Sequence, residues 1–395
     1  MHILDNQFLI LSLLCIFFTS CDKPPTPLSA SVVKNWYLNP TTAGTSELAG
    51  YNILSIDTQL VSCLSLQSGA FTDTLVDSSG SSWILGFKTP DTFSADKKYP
   101  LVVYLHGGTG VTVNNKGEKA YEMLSGLIDS MPLFLASPSA NRTTRWWSSC
   151  GLYRILQTVR YMKLHYPVDE SKVFLAGVSD GAAGCWAAAN CINGPFAGFI
   201  AISGYGGIVP SAGIDLTPVN IAQRPIYSIN GGNDQLYSLN IVTTFLDYMQ
   251  GQCVSITRSI HTGEAHGFDY REKELGALCS ILRSWSRQSV PNGSWVFTPG
   301  VPNRPDNCID YQFGDVSTVR SYAWKLEDDT LTINATGLRK VTLLLPVTSG
   351  ILFVNRNNKH KEKIKAEKTN THILNSMLHY AISPDTTTMI YTINF

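Results

Sequence analysis

The stretch from Lys172 to Ala189 constrains this chain most. A short apolar run, Val173-Phe174-Leu175-Ala176, leads straight into Gly177-Val178-Ser179-Asp180-Gly181 and then into the Ala-rich Ala182 to Ala189. A serine at such a strand-to-helix turn is held in a strained backbone conformation, with its hydroxyl out at the C-terminal edge of a sheet. The flanking glycines are required because a side chain there would collide with neighbouring elements. The following helix presents its N-terminus to the same point, which favours developing negative charge. G-x-S-x-G alone also fits a Gly/Ser-rich turn; the strand before it and the helix after it make it specific.

A serine hydroxyl is a poor nucleophile at neutral pH, so Ser179 needs a base in hydrogen-bond reach and a third group to orient that base. With the turn fixed, the order expected downstream is acid, then histidine. The run Pro225 to Ile229 reads as a strand and ends in Asn230-Gly231-Gly232-Asn233-Asp234, a loop that delivers a carboxylate at a strand's C-terminal end. Asp234 is therefore the expected acid, against the plainer reading of a solvent-facing turn aspartate. Asp215, in an irregular Pro/Gly stretch, and Asp247, inside an amphipathic helix, fit less well. Of the histidines beyond Ser179, only His266 lies in a loop, Thr262 to Phe268, between a strand at 255–260 and a helix starting near Tyr270. His266 is the expected base. His261 ends the strand and reads as a packing residue; His360, His372 and His379 fall in the C-terminal region.

Acyl transfer also needs donors aimed at an oxyanion, and losing one such donor typically costs about 3 kcal/mol of transition-state stabilisation. The backbone amide of Asp180, just after the nucleophile, is one candidate. The other lies in the loop after Leu101-Val102-Val103-Tyr104-Leu105, namely His106-Gly107-Gly108-Thr109-Gly110, where Gly108 is the first choice and Thr109 the fallback. His106 is expected to fix that turn by hydrogen bonds. Between these segments, Arg142 to Ser148 is unusually aromatic for a loop. Trp146 and Trp147 either pave an acyl- or sugar-binding surface or cover the edge of the core.

Leu101 to Leu105 is continuous and apolar, as a strand buried on both faces should be. Similar runs follow at 133–136, 199–202 and 226–229, and an amphipathic stripe of Ile155, Leu156, Val159 and Met162 marks a helix between them. Such alternation predicts an α/β fold, a doubly wound and mostly parallel sheet covered on both faces. Residues 51–87 carry short β-branched runs that read as antiparallel edge strands. After residue 290 the pattern changes to strands alone, at 331–333, 341–345, 351–354 and 389–393, with Asn334 to Gly337 as a turn, predicting a small C-terminal β-rich appendage. Six basic residues between Arg356 and Lys368 read as a solvated hairpin tip, with an anionic partner as the alternative.

The chain has 395 residues, too many for one ordinary domain, and 44% hydrophobic against 15% charged residues supports a sizeable core. Thirty basic and thirty acidic residues leave no electrostatic footprint for nucleic acid. At the N-terminus, the apolar run Phe8 to Phe18 is too short to span a bilayer and reads as an export signal. Thr19-Ser20-Cys21 after it resembles the lipobox of bacterial lipoproteins, implying lipidation at Cys21, although Phe18 stands where leucine is usual and the leader has no Lys or Arg. Ordinary signal cleavage is the alternative. The expected divisions are therefore a lipoprotein signal at 1–21, a linker at 22–50, a catalytic domain at 51–290 and a β-rich domain at 291–395. Lipidation would place the protein on the outer side of a bacterial membrane; without it, the chain is secreted. Seven cysteines remain beyond Cys21, and in an oxidising compartment some are expected to pair, with at least one left over. No His/Cys cluster has zinc spacing, so neither metal nor cofactor is expected.

Leu101 to Gly110, the turn around Ser179, Asp234 and His266 together resemble the α/β-hydrolase superfamily. Within it, Tyr99 to Gly108 and Val168 to Ser179 look most like the secreted esterases that include feruloyl and acetylxylan esterases and polyhydroxybutyrate depolymerases. The resemblance covers residues 80 to 290, and prolyl-oligopeptidase-like peptidases share the same signatures. Asp310 to Leu345, with Tyr322-Ala323-Trp324-Lys325-Leu326, resembles the β appendage of exported bacterial hydrolases. Ala182-Ala183 departs from the glycine that many relatives carry there. The resemblance implies a serine hydrolase of carboxylic esters, polymeric ones included, with a serine peptidase as the alternative. A reading of another class is a non-catalytic surface-binding lipoprotein, against which stand the complete triad and the oxyanion glycines.

Overall fold

The computed structural model describes residues 28–77, 79–288, 291–314, 319–345, 347, 350–357, 361–379 and 389–395. The leader, Cys21 and the Pro-rich segment at 23–27 lie outside the described residues. Most of the expected linker is helical: α1 (Ala30–Leu38) and α2 (Thr42–Leu48), followed by α3 (Ile53–Val61) where edge strands are expected. The reason is burial. Val33, Trp36, Tyr37, Leu48, Ile56 and Leu60 all pack into the main core, and Ser29, Thr41 and Asn52 cap the three helices by accepting from Val32, Gly44 and Leu54 amides.

The edge strands come next, β1 (Ala70–Val76) and β2 (Ser82–Lys88), paired antiparallel. The chain continues through β3 (Tyr99–Leu105), α4 (Ser125–Ser130), β4 (Phe134–Pro138), α5 (Ser149–His165), β5 (Val168–Val178), α6 (Asp180–Cys191), β6 (Gly198–Ile202), α7 (Pro218–Ile221), β7 (Ile226–Gly231), α8 (Leu239–Gly251) and β8 (Ile256–His261). One sheet results, in the order β1-β2-β4-β3-β5-β6-β7-β8. Every pairing from β4 to β8 is parallel, while β2 meets β4 antiparallel.

Alternation along β3 shows how the layers form. Leu101, Val103 and Leu105 enter the core shared with α5 and α6. Val102 and Tyr104 enter the opposite core, which holds Leu127 of α4 and Leu278 and Leu282 beyond β8. Successive strand side chains point to opposite faces, so helices cover both. The helix expected from Tyr270 breaks into α9 (Tyr270–Lys273) and α10 (Leu275–Ser284).

The C-terminal region contains β9 (Asn292–Val296), β10 (Cys308–Phe313), β11 (Ser321–Glu327), β12 (Thr330–Thr336), β13 (Leu338–Leu345), β14 (Ile351–Arg356), β15 (Lys361–Lys365), α11 (Asn370–His379) and β16 (Met389–Asn394). Two sheets, β10-β13-β16 and β15-β14-β12-β11-β9, share a core that includes Trp295, Trp324, Ile333, Val341 and Tyr391. β12 and β13 are not partners. The chain passes from one sheet to the other at Gly337, whose φ of 65° is available to glycine without strain. Helix α11 differs from the all-strand expectation, because Leu374 and Met377 leave the β core and pack into the main core with α1 and α2. All seven cysteines among the described residues are free, so the expected disulfides are absent from them.

Candidate active site

Between β5 and α6 the backbone turns at Ser179, with φ 58° and ψ −117°, a left-handed value that a non-glycine residue adopts only under constraint. The glycines around it serve close approach. A Cβ on Gly177 would lie 2.4 Å from the Gly181 carbonyl oxygen, and one on Gly181 would lie 2.1 Å from that of Leu105. Ser179 is thereby lifted to the sheet's C-terminal edge, and its amide is tied to the Ile202 carbonyl at 2.9 Å.

Asp234 follows β7 and is 4% exposed. Its Oδ1 accepts the amides of Leu236 (2.8 Å) and Tyr237 (2.9 Å), which leaves Oδ2 for the Nδ1 of His266 at 2.8 Å. Across the ring, Nε2 of His266 lies 3.1 Å from Ser179 Oγ. The structure thus brings together all three residues picked out in the sequence. The acid and base loops are also bound to each other, since the amides of Gly232 and Asn233 donate to the carbonyls of His261 (2.7 Å) and Glu264 (2.8 Å). His261 itself contacts Glu274, a buried carboxylate that also accepts from Tyr227 and Ser259.

The loop after β3 is fixed from three directions. His106 is buried, and burial pushes its imidazole down to about 4. Because the Ala140 amide donates to Nε2 (3.1 Å), the proton sits on Nδ1, which donates to the Gly107 carbonyl (2.9 Å). Lys116 Nζ donates to the carbonyls of Gly108 (2.8 Å) and Gly107 (3.4 Å). In a trans peptide the Gly108 N–H points opposite to the Gly107 carbonyl, hence away from His106 and Lys116. The Thr109 amide, the fallback donor, is engaged by the Asp180 carboxylate at 2.7 Å. Gly107 packs against Ser179, with 3.1 Å between a Cβ built on it and the serine Cβ.

Trp146 and Trp147 do not pave a surface. Trp146 is fully buried and Trp147 is 4% exposed, and the indole N–H of Trp146 donates to the His106 carbonyl at 2.8 Å. Both serve the core and the loop. Beside His266 stands Tyr237, with 5.6 Å between the two rings, and next to it Tyr205, 5.7 Å from Tyr237 and 5.4 Å from Phe245. The Tyr237 phenol lies beside Ser179 and Asp180 and is pushed up, mainly by burial. Sequence reasoning passes over Tyr237; the one signal for it is its place three residues after Asp234.

A mostly parallel eight-stranded sheet in this order, with a strained serine turn after β5, an acid after β7 and a histidine after β8, is an α/β-hydrolase fold followed by a β-rich region. No protein-family model matches the sequence, and no curated protein matches it. Among solved structures, a thermostable esterase is 20% identical over 55% of this chain and 63% of its own, under two-thirds of that protein, with a TM-score of 0.43. A ferulic acid esterase is 17% identical, covering 55% of this chain and 99% of its own at TM-score 0.44. An acylaminoacyl peptidase from Pyrococcus horikoshii is 13% identical, covering 57% and 42% at TM-score 0.41. These likenesses are distant, and it is the geometry around Ser179 that defines the chemistry open to the site.

Proposed function

We propose that the protein is a serine hydrolase that cleaves carboxylic esters through an acyl-enzyme. The observation that supports this is the unbroken relay from Asp234 Oδ2 through His266 to Ser179 Oγ, at 2.8 and 3.1 Å, ending on a strained turn. Ser179 Oγ attacks the ester carbonyl while His266 Nε2 takes its proton. Asp234 fixes the Nδ1–H tautomer and stabilises the imidazolium as it forms. His266 then gives the proton to the leaving alcohol, and water attacks the acyl-enzyme in the reverse sense. The amides of Asp180 and Gly108 receive the oxyanion: the first opens α6, and the second is turned outward by the hydrogen bonds on Gly107. Tyr237 and Tyr205 form the apolar wall for the acyl or alcohol part.

On this reading, wild-type protein is labelled by a fluorophosphonate and hydrolyses chromogenic esters, and Ser179→Ala does neither. Asp234→Asn keeps substrate binding but lowers turnover on the order of 10⁴. Equal labelling of Ser179→Ala removes Ser179 as the nucleophile, whereas a wild-type protein that neither labels nor hydrolyses esters leaves a binding lipoprotein. A parallel panel of feruloyl esters, acetyl esters and short peptides separates esterase from peptidase. We propose as well that Cys21 carries lipid and holds the enzyme on the outer side of a bacterial membrane; the apolar Phe8 to Phe18 followed by Thr19-Ser20-Cys21 supports this.

A further inference from the structure

His266 lies in the segment 262–268, and both ends of that segment meet at His261. The His261 carbonyl, at the end of β8, accepts the amide of Glu264 within the segment (3.0 Å) and that of Gly232 in the loop leading to Asp234 (2.7 Å). Its ring packs on that of Phe268, two residues beyond His266, with 4.8 Å between centroids. Phe268 is buried, so the far end of the segment is anchored where the near end begins. His261 thus borders the loop that carries Asp234 and the loop that carries His266.

What holds His261 is Glu274, at the junction of α9 and α10. Glu274 is 2% exposed, and its Oε1 lies 2.5 Å from His261 Nε2. The same oxygen accepts the Ser259 hydroxyl of β8 at 2.5 Å, and Oε2 accepts the Tyr227 hydroxyl of β7 at 2.6 Å. Burial, with the bond to Glu274, pushes the Tyr227 phenol up to about 12, so it keeps its proton and donates. The groups aimed at Glu274 are donors, and a carboxylate offers lone pairs enough for all three. One buried side chain thereby binds β7, which leads to Asp234, and β8, which leads to His266.

Removing the imidazole would take one donor from a buried carboxylate, which is costly to leave short of partners, and would release the contact with Phe268. The His261 carbonyl is shared by the two loops, so a shift at the end of β8 is passed to the contact between Asp234 Oδ2 and His266 Nδ1. A misplacement of about 1 Å between reacting groups can cost on the order of 10² in rate. We propose that His261, held by Glu274, is a positioning residue that sets the Asp234 loop against the His266 loop. The inference rests on the serine-hydrolase reading of Ser179, His266 and Asp234, and it gives His261 a task beyond filling space at the end of a strand.

The test is turnover per active site of the full chain. Sites are counted by fluorophosphonate labelling carried to completion, and kcat for a soluble chromogenic ester is referred to that count. A protein that is merely less stable loses sites but keeps its turnover at each; a displaced base lowers turnover at every site. His261→Leu should lower kcat per site roughly tenfold to a hundredfold, with KM within about twofold of wild type. His261→Gln, whose amide can donate to Glu274 from nearly the same place, should recover most of the loss. Should His261→Leu fail to fold, Glu274→Gln serves instead, because it keeps the size of the side chain but turns an N–H towards the donors; a fall in kcat per site is expected again. Wild-type turnover per site in His261→Leu or in Glu274→Gln overturns the proposal and leaves the serine-hydrolase reading standing. So does a His261→Gln protein no faster than His261→Leu. A wild-type protein that neither takes the label nor cleaves the ester overturns that reading and this proposal with it.

Discussion

The carboxylate of Asp180 accepts both the amide and the hydroxyl of Thr109, each at 2.7 Å, so the residue after the serine also holds the loop that carries Gly108. Two backbone amides from segments far apart in sequence are thereby held at a fixed separation. Asp180→Ala keeps its own amide but frees the loop. It should lower kcat by up to about 10² to 10³, the range for loss of one oxyanion donor, with KM little changed. Steady-state kinetics on a soluble ester measures both terms, and a variant that raises KM alone would show that Asp180 acts on substrate binding instead.

Trp146 tests the corrected role of the aromatic pair. Its side chain fills the space over Gly184 of α6 and its N–H supports His106. Trp146→Ala should therefore lower unfolding free energy by about 3 to 5 kcal/mol, as large-to-small core changes do. Chemical denaturation reads this directly. A stable variant with a raised KM would return Trp146 to the substrate surface.

His106 gives the fold a pH dependence of known sign. Its folded value of about 4 lies below the unfolded 6.5, so between these the unfolded chain binds more protons. The stabilisation is complete above about pH 6.5 and is lost as pH falls towards 4, amounting to about 3 kcal/mol. Denaturation midpoints measured from pH 7.5 to 4 should fall more steeply for wild type than for His106→Asn. Parallel curves would assign the acid sensitivity to other groups.

Lipidation at Cys21 makes its own prediction. In a bacterial host fed a clickable fatty acid, the full chain should take up label and partition with membranes, since multiple chains anchor where one binds only marginally. Cys21→Ser should lose both properties. Label retained in Cys21→Ser would place the acyl group elsewhere.

The hydrogen-bonded set of Ser179, His266 and Asp234 was legible because each member sits where two patterns meet: a buried apolar strand, and a loop whose glycines allow backbones to touch. The inner runs of β3 and β5, Leu101 to Leu105 and Val173 to Ala176, are apolar on both faces and read as strands without ambiguity. α1 to α3 were hidden by the very residues that start them. Ser29, Thr41 and Asn52 look like loop composition, yet each is an N-cap, and an N-cap is recognisable only once the helix after it is known. Trp146 and Trp147 misled for a related reason: an aromatic pair in a loop has the same sequence whether the loop faces water or dives beneath a helix. Nothing local to Leu374 or Met377 marks α11 as a partner of α2, because their burial depends on chain more than 300 residues away.

That last contact governs when the protein can become itself during synthesis. Asn370 Nδ2 donates to the carbonyls of Ala49 (2.8 Å) and Tyr51 (3.1 Å), 321 and 319 residues upstream, and α11 closes the core over the first helices. Contacts so distant in sequence are slow to form and leave apolar surface open in the meantime. The N-terminal helices emerge early from the ribosome but cannot complete their packing until nearly the whole chain has been made. An emerging chain of this kind stays unfinished for most of its translation, its first helices waiting on the last one.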